Sequence, residues 1–218
     1  MASARRSDFA APGEILLDDG RFRALLAADD WGRLPLATWR RFSKRPAAGR
    51  TIVYVGEVEQ SHHSRIGWWI VQLMRVIGAP LPTGTETKVP MVVTVTEDAA
   101  SGGQVWSRVC ARSCGFPQVI HSAMRFAGPT GLEEYVGFGI SMALRLRVED
   151  GALLFESAGY SLSFGRLRLP LPEWLTPGAL TAAHIDLGGA AFRVTLSVAH
   201  PRWGELVRRS AVFREAAS

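Results

Sequence analysis

The chain has 218 residues, 47% hydrophobic and 21% charged, which is enough to bury one sizeable core and too apolar for a disordered or collagen-like chain. Its formal charge is +5, yet among 25 cationic side chains only Lys44 and Lys88 are lysine, and asparagine is absent. Coding bias explains that balance as well as an acidic partner does, and no run is long enough to cross a bilayer as a helix.

Without asparagine there is no N-glycosylation acceptor, and the basic opening stretch, residues 1–8, is not followed by an unbroken apolar core. The expectation is a bacterial-type cytoplasmic protein. Cys110 and Cys114 are too few for a structural zinc site or a disulfide framework and read as reduced thiols. Neither a metal nor a cofactor is expected.

From Asp18 to Asp30, Phe22, Leu25 and Leu26 sit at helical spacing, and Pro35 breaks the pattern before Leu36, Trp39 and Phe42 resume it. Residues 1–30 therefore read as an extension with a short helix, and 31–218 as a single domain. The run Arg40, Arg41, Lys44, Arg45 reads as a solvated face. With no helix-turn-helix or zinc finger beside it, no nucleic-acid partner is expected. Ala47 to Arg50 reads as a short linker.

Thr51 to Gln60 is rich in β-branched residues and predicts a strand. His62 to Gly78 predicts a helix, with Ile66, Trp69, Ile70, Leu73, Met74 and Ile77 on one face, Ser61 as N-cap and Gly78 as C-terminal cap. Trp68, Val71 and Val76 widen its stripe. Burial as a plug or lid on a sheet is the favoured expectation, and an interfacial helix with Trp68 and Trp69 at lipid headgroups is the alternative. Adjacent His62 and His63 point in different directions on a helix and read as exposed, not as a metal pair.

Beyond Lys88 short strands follow one another, punctuated by Ser101-Gly102-Gly103, Gly128-Pro129-Thr130-Gly131, Asp150-Gly151 and Gly188-Gly189. Such turns join antiparallel neighbours, because parallel strands need crossovers of a dozen or more residues. Ile140, Met142, Leu144, Leu146 and Val148 alternate with Arg145 and Arg147, and Phe192, Val194, Leu196 and Val198 alternate with Arg193. Tyr160, Leu162 and Phe164 do the same, until the phase flips at Gly165 and suggests a bulge or bend, with Arg166 and Arg168 on the polar phase. The fold class predicted is mainly β (α+β): a curved antiparallel meander of eight or nine strands forming a barrel or half-barrel, with a packed apolar helix and short N-terminal helices.

Polar residues on the apolar phase are the candidates for function. Glu134 falls among Leu132, Val136 and Phe138, where a carboxylate must be paired, hydrogen-bonded or protonated. Arg108, on the phase of Trp106 and Cys110, is its candidate partner, although Gln104 and Arg112 share that phase and could make it the wet face. Ser122 sits between Ile120 and Met124, Tyr160 heads its own apolar series, and His200 ends the Phe192 to Val198 face. Trp106, Arg108, Ser122, Glu134, Tyr160 and His200 are the cavity candidates, and no residue is assigned as catalytic. By the same reasoning His121 and His184, in phase with Arg125 and Asp186, read as exposed. No phosphate-binding loop, Rossmann fingerprint, HExxH or GxSxG element is present.

Several short elements occur in order: Leu34 to Phe42, Thr51 to Gln60, Ile77-Gly78-Ala79-Pro80, Val105-Trp106-Ser107-Arg108, Glu134 with Gly137, Glu149-Asp150-Gly151, and Leu171-Pro172-Glu173-Trp174-Leu175 with Pro177. In this order the chain, from about Trp31 to Arg214, resembles a bacterial domain family of unknown function that occurs alone or appended to saccharopine-dehydrogenase-like and short-chain-reductase-like proteins. The resemblance implies no activity and no catalytic residues, and it suggests a reductase as partner.

The leading expectation is a module that binds a small hydrophobic or amphipathic ligand, with no enzymatic role required. One alternative is an enzyme using buried Glu134, with His200, as acid and base. The other is a protein that docks on a membrane or a partner through the Trp68-Trp69 helix.

Overall fold

Strands joined by turns this short pair with their chain neighbours, and here the last of them closes the sheet on itself. The computed structural model describes residues 16–47, 50–76, 81–165 and 167–216. A short ribbon of β1 (Leu16–Asp18) and β2 (Lys44–Pro46) encloses helices α1 (Ala28–Gly32) and α2 (Leu36–Phe42). Then come β3 (Thr51–His63), helix α3 (Arg65–Val76), β4 (Pro90–Asp98), β5 (Gly103–Cys110), β6 (Gln118–Arg125), β7 (Glu133–Gly137) and β8 (Ile140–Glu149). They are followed by β9 (Ala152–Phe164), β10 (Leu167–Pro170), β11 (Ala179–Gly188), β12 (Ala191–His200) and β13 (Gly204–Glu215).

The order around the sheet is β9-β11-β12-β13-β3-β4-β5-β6-β7-β8, and β8 pairs again with β9, giving a closed ten-stranded antiparallel barrel. β10 folds back on the last residues of β9, with Leu167 opposite Phe164. Because strands alternate in direction, the barrel has two distinct ends. β3, β5, β7, β9 and β12 finish at the upper end, where α3 and the following loops lie; the Asp150-Gly151 and Gly188-Gly189 turns mark the lower end.

The lower end is stoppered by the N-terminal segment. Phe22, Trp31 and Phe42 are buried there against Leu132, Leu144, Leu153 and Phe155, and the three phenylalanines Phe22, Phe42 and Phe155 meet at ring separations of 5.2 to 6.2 Å. Burying an aromatic ring of this size contributes about 2–3 kcal/mol, so these residues anchor the plug. At the upper end Val71 of α3 packs with Val198, Leu206 and Val207. Gly67 lies so close to the Leu206 carbonyl that a Cβ there would overlap it.

Several details differ from the sequence expectations. The segment before Pro35 is not one helix: only a 3-10 turn at Arg23–Leu25 and α1 form, separated by extended backbone at Leu26 (ψ 152°) and Ala27 (ψ 148°). β3 runs on through His62 and His63, which therefore end a strand and do not open a helix. His62 is exposed, but His63 is half-buried. The helix is capped by Ser64, whose Oγ accepts from the Gly67 N–H at 3.0 Å, not by Ser61, whose hydroxyl donates to the Gly84 carbonyl. Gly78 and Arg166 lie outside the described residues. Gly165, at φ 58°, belongs to the β9–β10 hairpin turn, not to a bulge. The bulge falls earlier, between Met142 and Leu144 opposite Tyr160 and Ser157, beside Gly159 at φ 123°. Asp150-Gly151 is the expected two-residue turn, with φ positive at both positions.

Candidate ligand-binding cavity

Ten strands enclose more space than their inward side chains fill, and a cavity of about 210 Å³ remains inside the barrel. Its wall is apolar and includes Val93, Ile120, Met142, Val194 and Phe213. Met74 of α3 with Leu81, Pro82 and Pro177 bounds the upper end. Drug-sized ligands occupy sites of ~300–1,000 Å³, so this volume suits a small or slender molecule.

Five of the six cavity candidates line it: Trp106, Arg108, Ser122, Glu134 and Tyr160. β5, β6 and β7 are adjacent and in register, which sets Arg108, Ser122 and Glu134 within one network. Arg108 Nη1 donates to Ser122 Oγ at 2.9 Å, and its Nη2 lies 3.3 Å from Glu134 Oε1. The neighbouring Glu133 faces the other way and pairs with Arg168 at 2.7 Å. Trp106 donates its indole N–H to Gln104 at 3.2 Å, and the Tyr160 hydroxyl donates to the Gly178 carbonyl at 3.2 Å. Burial pushes the Tyr160 hydroxyl pKa upward, as does the Glu134 carboxylate, so the phenol stays protonated.

His200 is not part of the lining. Its ring stacks on Trp203 at 4.1 Å and its Nδ1 accepts the Arg202 N–H, at the upper end of β12. A Glu134–His200 acid–base pair within the cavity is therefore not formed.

The cavity's charge comes largely from residues that the sequence expectations left out. Arg41 and Arg209 also line it, giving three arginines against one carboxylate, Glu134. The basic run is thus not wholly a solvated face. Arg41 reaches into the lower part of the barrel, with its guanidinium carbon 3.5 Å from the Phe192 ring centroid and Nη1 buried without a hydrogen-bond partner. Arg209 is 6% exposed and its Nε is likewise buried and unpartnered. Burial lowers the pKa of both guanidiniums, and Asp186, Glu215 and Glu86 act on them only at a distance. Neither has an ion-pair partner among the described residues. Arg209 was marked in the sequence: Val207, Arg209, Ala211 and Phe213 alternate in one phase, the same signal that marks Glu134. Arg41 carried no comparable signal, because a seven-residue helix running into a cationic stretch does not reveal which way a side chain points.

His184 was expected at the surface and is 8% exposed. It lines the cavity floor with Phe42, Phe155 and Phe192 around it. The phase of β11 misleads because Ile185 and Leu187 face outward while the inner positions are Leu180, Ala182 and His184. Burial, then the charges of Arg41 and Arg108, push its pKa down to about 3, so it is neutral at pH 7. Tyr54, also missed, is 5% exposed and packs edge-on to Phe192 at 5.3 Å. Cys110 is buried and Cys114 exposed, and both are free. No cluster of potential metal ligands occurs among the described residues.

A closed antiparallel barrel with an apolar interior and a few inward cationic groups is compatible with a ligand-binding barrel. Residues 34–213 match the model of a family described as a domain of unknown function, DUF4166, and the chain belongs to that family. No curated protein and no solved structure matches the chain.

Proposed function

We propose that the barrel binds a small amphipathic anion, with its apolar body among the aliphatic and aromatic wall residues and its acidic group at the inward arginines. The observation that carries this reading is the unbalanced interior: Arg209 is buried and Arg41 half-buried, with its Nη1 enclosed, at an apolar cavity without carboxylate partners among the described residues, while Arg108 already has Glu134. A buried charge left unpaired costs several kcal/mol, and an anionic ligand removes that cost by supplying the missing partner. A guanidinium also suits a carboxylate or phosphate by forming two parallel hydrogen bonds. A carrier of this kind would hand its ligand to an enzyme, and a reductase is the partner that the family resemblance suggests. Native mass spectrometry of protein purified from its own host tests the reading: it predicts a co-purifying amphipathic acid released on collisional activation. A neutral polar adduct, or the bare mass alone, counts against it.

A further inference from the structure

The barrel's two ends differ in a way that the cavity does not require. At the upper end, six separate elements each present a large apolar side chain to solvent. Trp69 of α3 is 69% exposed, Phe116 between β5 and β6 92%, Phe138 between β7 and β8 72%, Phe164 at the β9 tip 64%, Trp174 72% and Trp203 44%. Four of the seven tryptophans, Trp68, Trp69, Trp174 and Trp203, lie at this end. α3 is apolar on both sides. Its inner face seals the barrel through Val71 and Met74, and its outer face carries Ile66, Trp69 and Leu73 at helical spacing.

Exposed cations accompany these side chains. Arg65, Arg75, Lys88, Arg112 and Arg202 are exposed at the upper end, where Glu173 is exposed and Glu86 half-buried, and Glu205 is taken up by Arg208. The lower end is mixed in charge: Asp29, Asp30, Glu97, Asp98, Glu149, Asp150 and Glu215 stand among Arg23, Arg33, Arg40, Lys44, Arg45, Arg50 and Arg214, with Asp30, Glu97 and Glu215 paired to Arg33, Arg45 and Lys44.

We propose that the upper rim docks the barrel onto a lipid bilayer bearing anionic headgroups. A ring of tips on six elements matches a planar, deformable apolar surface better than it matches a groove-filling peptide or one rigid partner. Tryptophan favours the bilayer interface, and the cations around the ring complement anionic lipid. The inference does not rest on the cavity ligand, although docking in this pose would bring the cavity's upper boundary against the bilayer.

Co-sedimentation of the full chain with vesicles of phosphatidylcholine, alone or mixed with phosphatidylglycerol, tests it. The mixed vesicles should bind the protein and shift its tryptophan emission to the blue, with weaker binding as salt rises. Trp69→Ser, Phe116→Ser and Phe138→Asn together should weaken binding about tenfold or more. Phe138→Asn keeps a residue that tolerates its positive φ of 50°. The control Leu36→Ser with Trp39→Ser, at the lower end, should leave binding unchanged. Failure of the wild type to bind mixed vesicles overturns the proposal, as does equal loss in the control. So does a dimer in sedimentation velocity that the rim substitutions dissociate, because the rim would then be a self-association face. Ligand binding in solution is measured separately, so the two readings can fail independently.

Discussion

At the residue scale, Arg209 opposes stability. It is all but inaccessible to water, its Nε has no acceptor, and burial lowers its pKa. Replacing a buried, poorly paired charge by an apolar side chain of similar volume is commonly neutral or stabilising by about 1–4 kcal/mol. Arg209→Met should therefore raise the urea midpoint of the ligand-free protein while weakening binding of anionic amphiphiles. A variant that is both less stable and unchanged in binding would show that Arg209 serves packing instead.

His184 ties the cavity floor to pH. Its folded pKa of about 3 lies below the value of about 6.5 for an unfolded chain, so the unfolded state takes up the proton first. The stability it contributes is complete above pH 6.5 and is lost as pH falls toward 3. His63, lowered by burial and then by the Arg209 and His62 charges with the Pro82 backbone opposing, acts in the same direction. Carboxylates such as Glu59, held low by its hydrogen bond from Arg193, lose their contribution only below about pH 4.5. Between pH 7 and 5 the wild type should lose up to about 2 kcal/mol through His184. Urea midpoints across that window should be distinctly flatter for His184→Gln, and parallel profiles would contradict the buried neutral imidazole.

At the element scale, α3 is held by close approach as much as by area. Gly67 lets the helix meet the Leu206 backbone, which brings Val71 into full burial and Met74 to the cavity. Gly67→Ala gains helix propensity of about 1 kcal/mol but forces the helix off β13, and overpacking of this kind costs about 1–3 kcal/mol. The expected result is a lower melting temperature together with faster hydrogen exchange in the upper parts of β12 and β13. An unchanged exchange pattern would show that the helix is not seated by that contact.

The same element shows what sequence can and cannot convey. Periodicity located α3 but chose the wrong stripe, since Ile66, Trp69 and Leu73 face solvent and Val71 is the residue fully buried against β12 and β13; the alternation in β8, β9 and β12 gave the meander and its inward faces. Glu134 and Ser122 were found by phase alone, because a regular strand leaves no choice of face, whereas Arg108 shared its phase with Gln104 and Arg112 and its inward direction was fixed only by the closed barrel. The errors cluster where regularity ends. His62 and His63 prolong a strand past the point at which the helical pattern begins, Gly165 makes a turn where the phase flip suggested a bend, and β11 carries its bulky residues outward. Arg41 sits on a helix of only seven residues, too short for its face to be read. The imbalance of charge inside the barrel depends on Arg41 and Arg209 together, so it emerged only in three dimensions.

At the scale of the whole molecule, closure explains both the stability and the vacancy of the interior. Pairing β8 with β9 removes the sheet edges that invite aggregation, and a ring of ten strands is too wide for its side chains to fill. The lower end is closed by a plug centred on Phe22 and Phe42. Phe42→Ala should cost about 3–5 kcal/mol and open the floor around His184, detectable as a lower unfolding midpoint and faster quenching of Trp31 by iodide.

The central claim, that the cavity takes an amphipathic anion through its buried arginines, is tested most directly by calorimetric titration with decanoate and with decanol. The two share an apolar tail and differ in the charged group. The account predicts that wild-type protein binds decanoate at least about tenfold more tightly than decanol, and that Arg209→Met with Arg41→Met removes most of that difference. Equal affinity for the two, or a preference for decanoate that survives both substitutions, would contradict it.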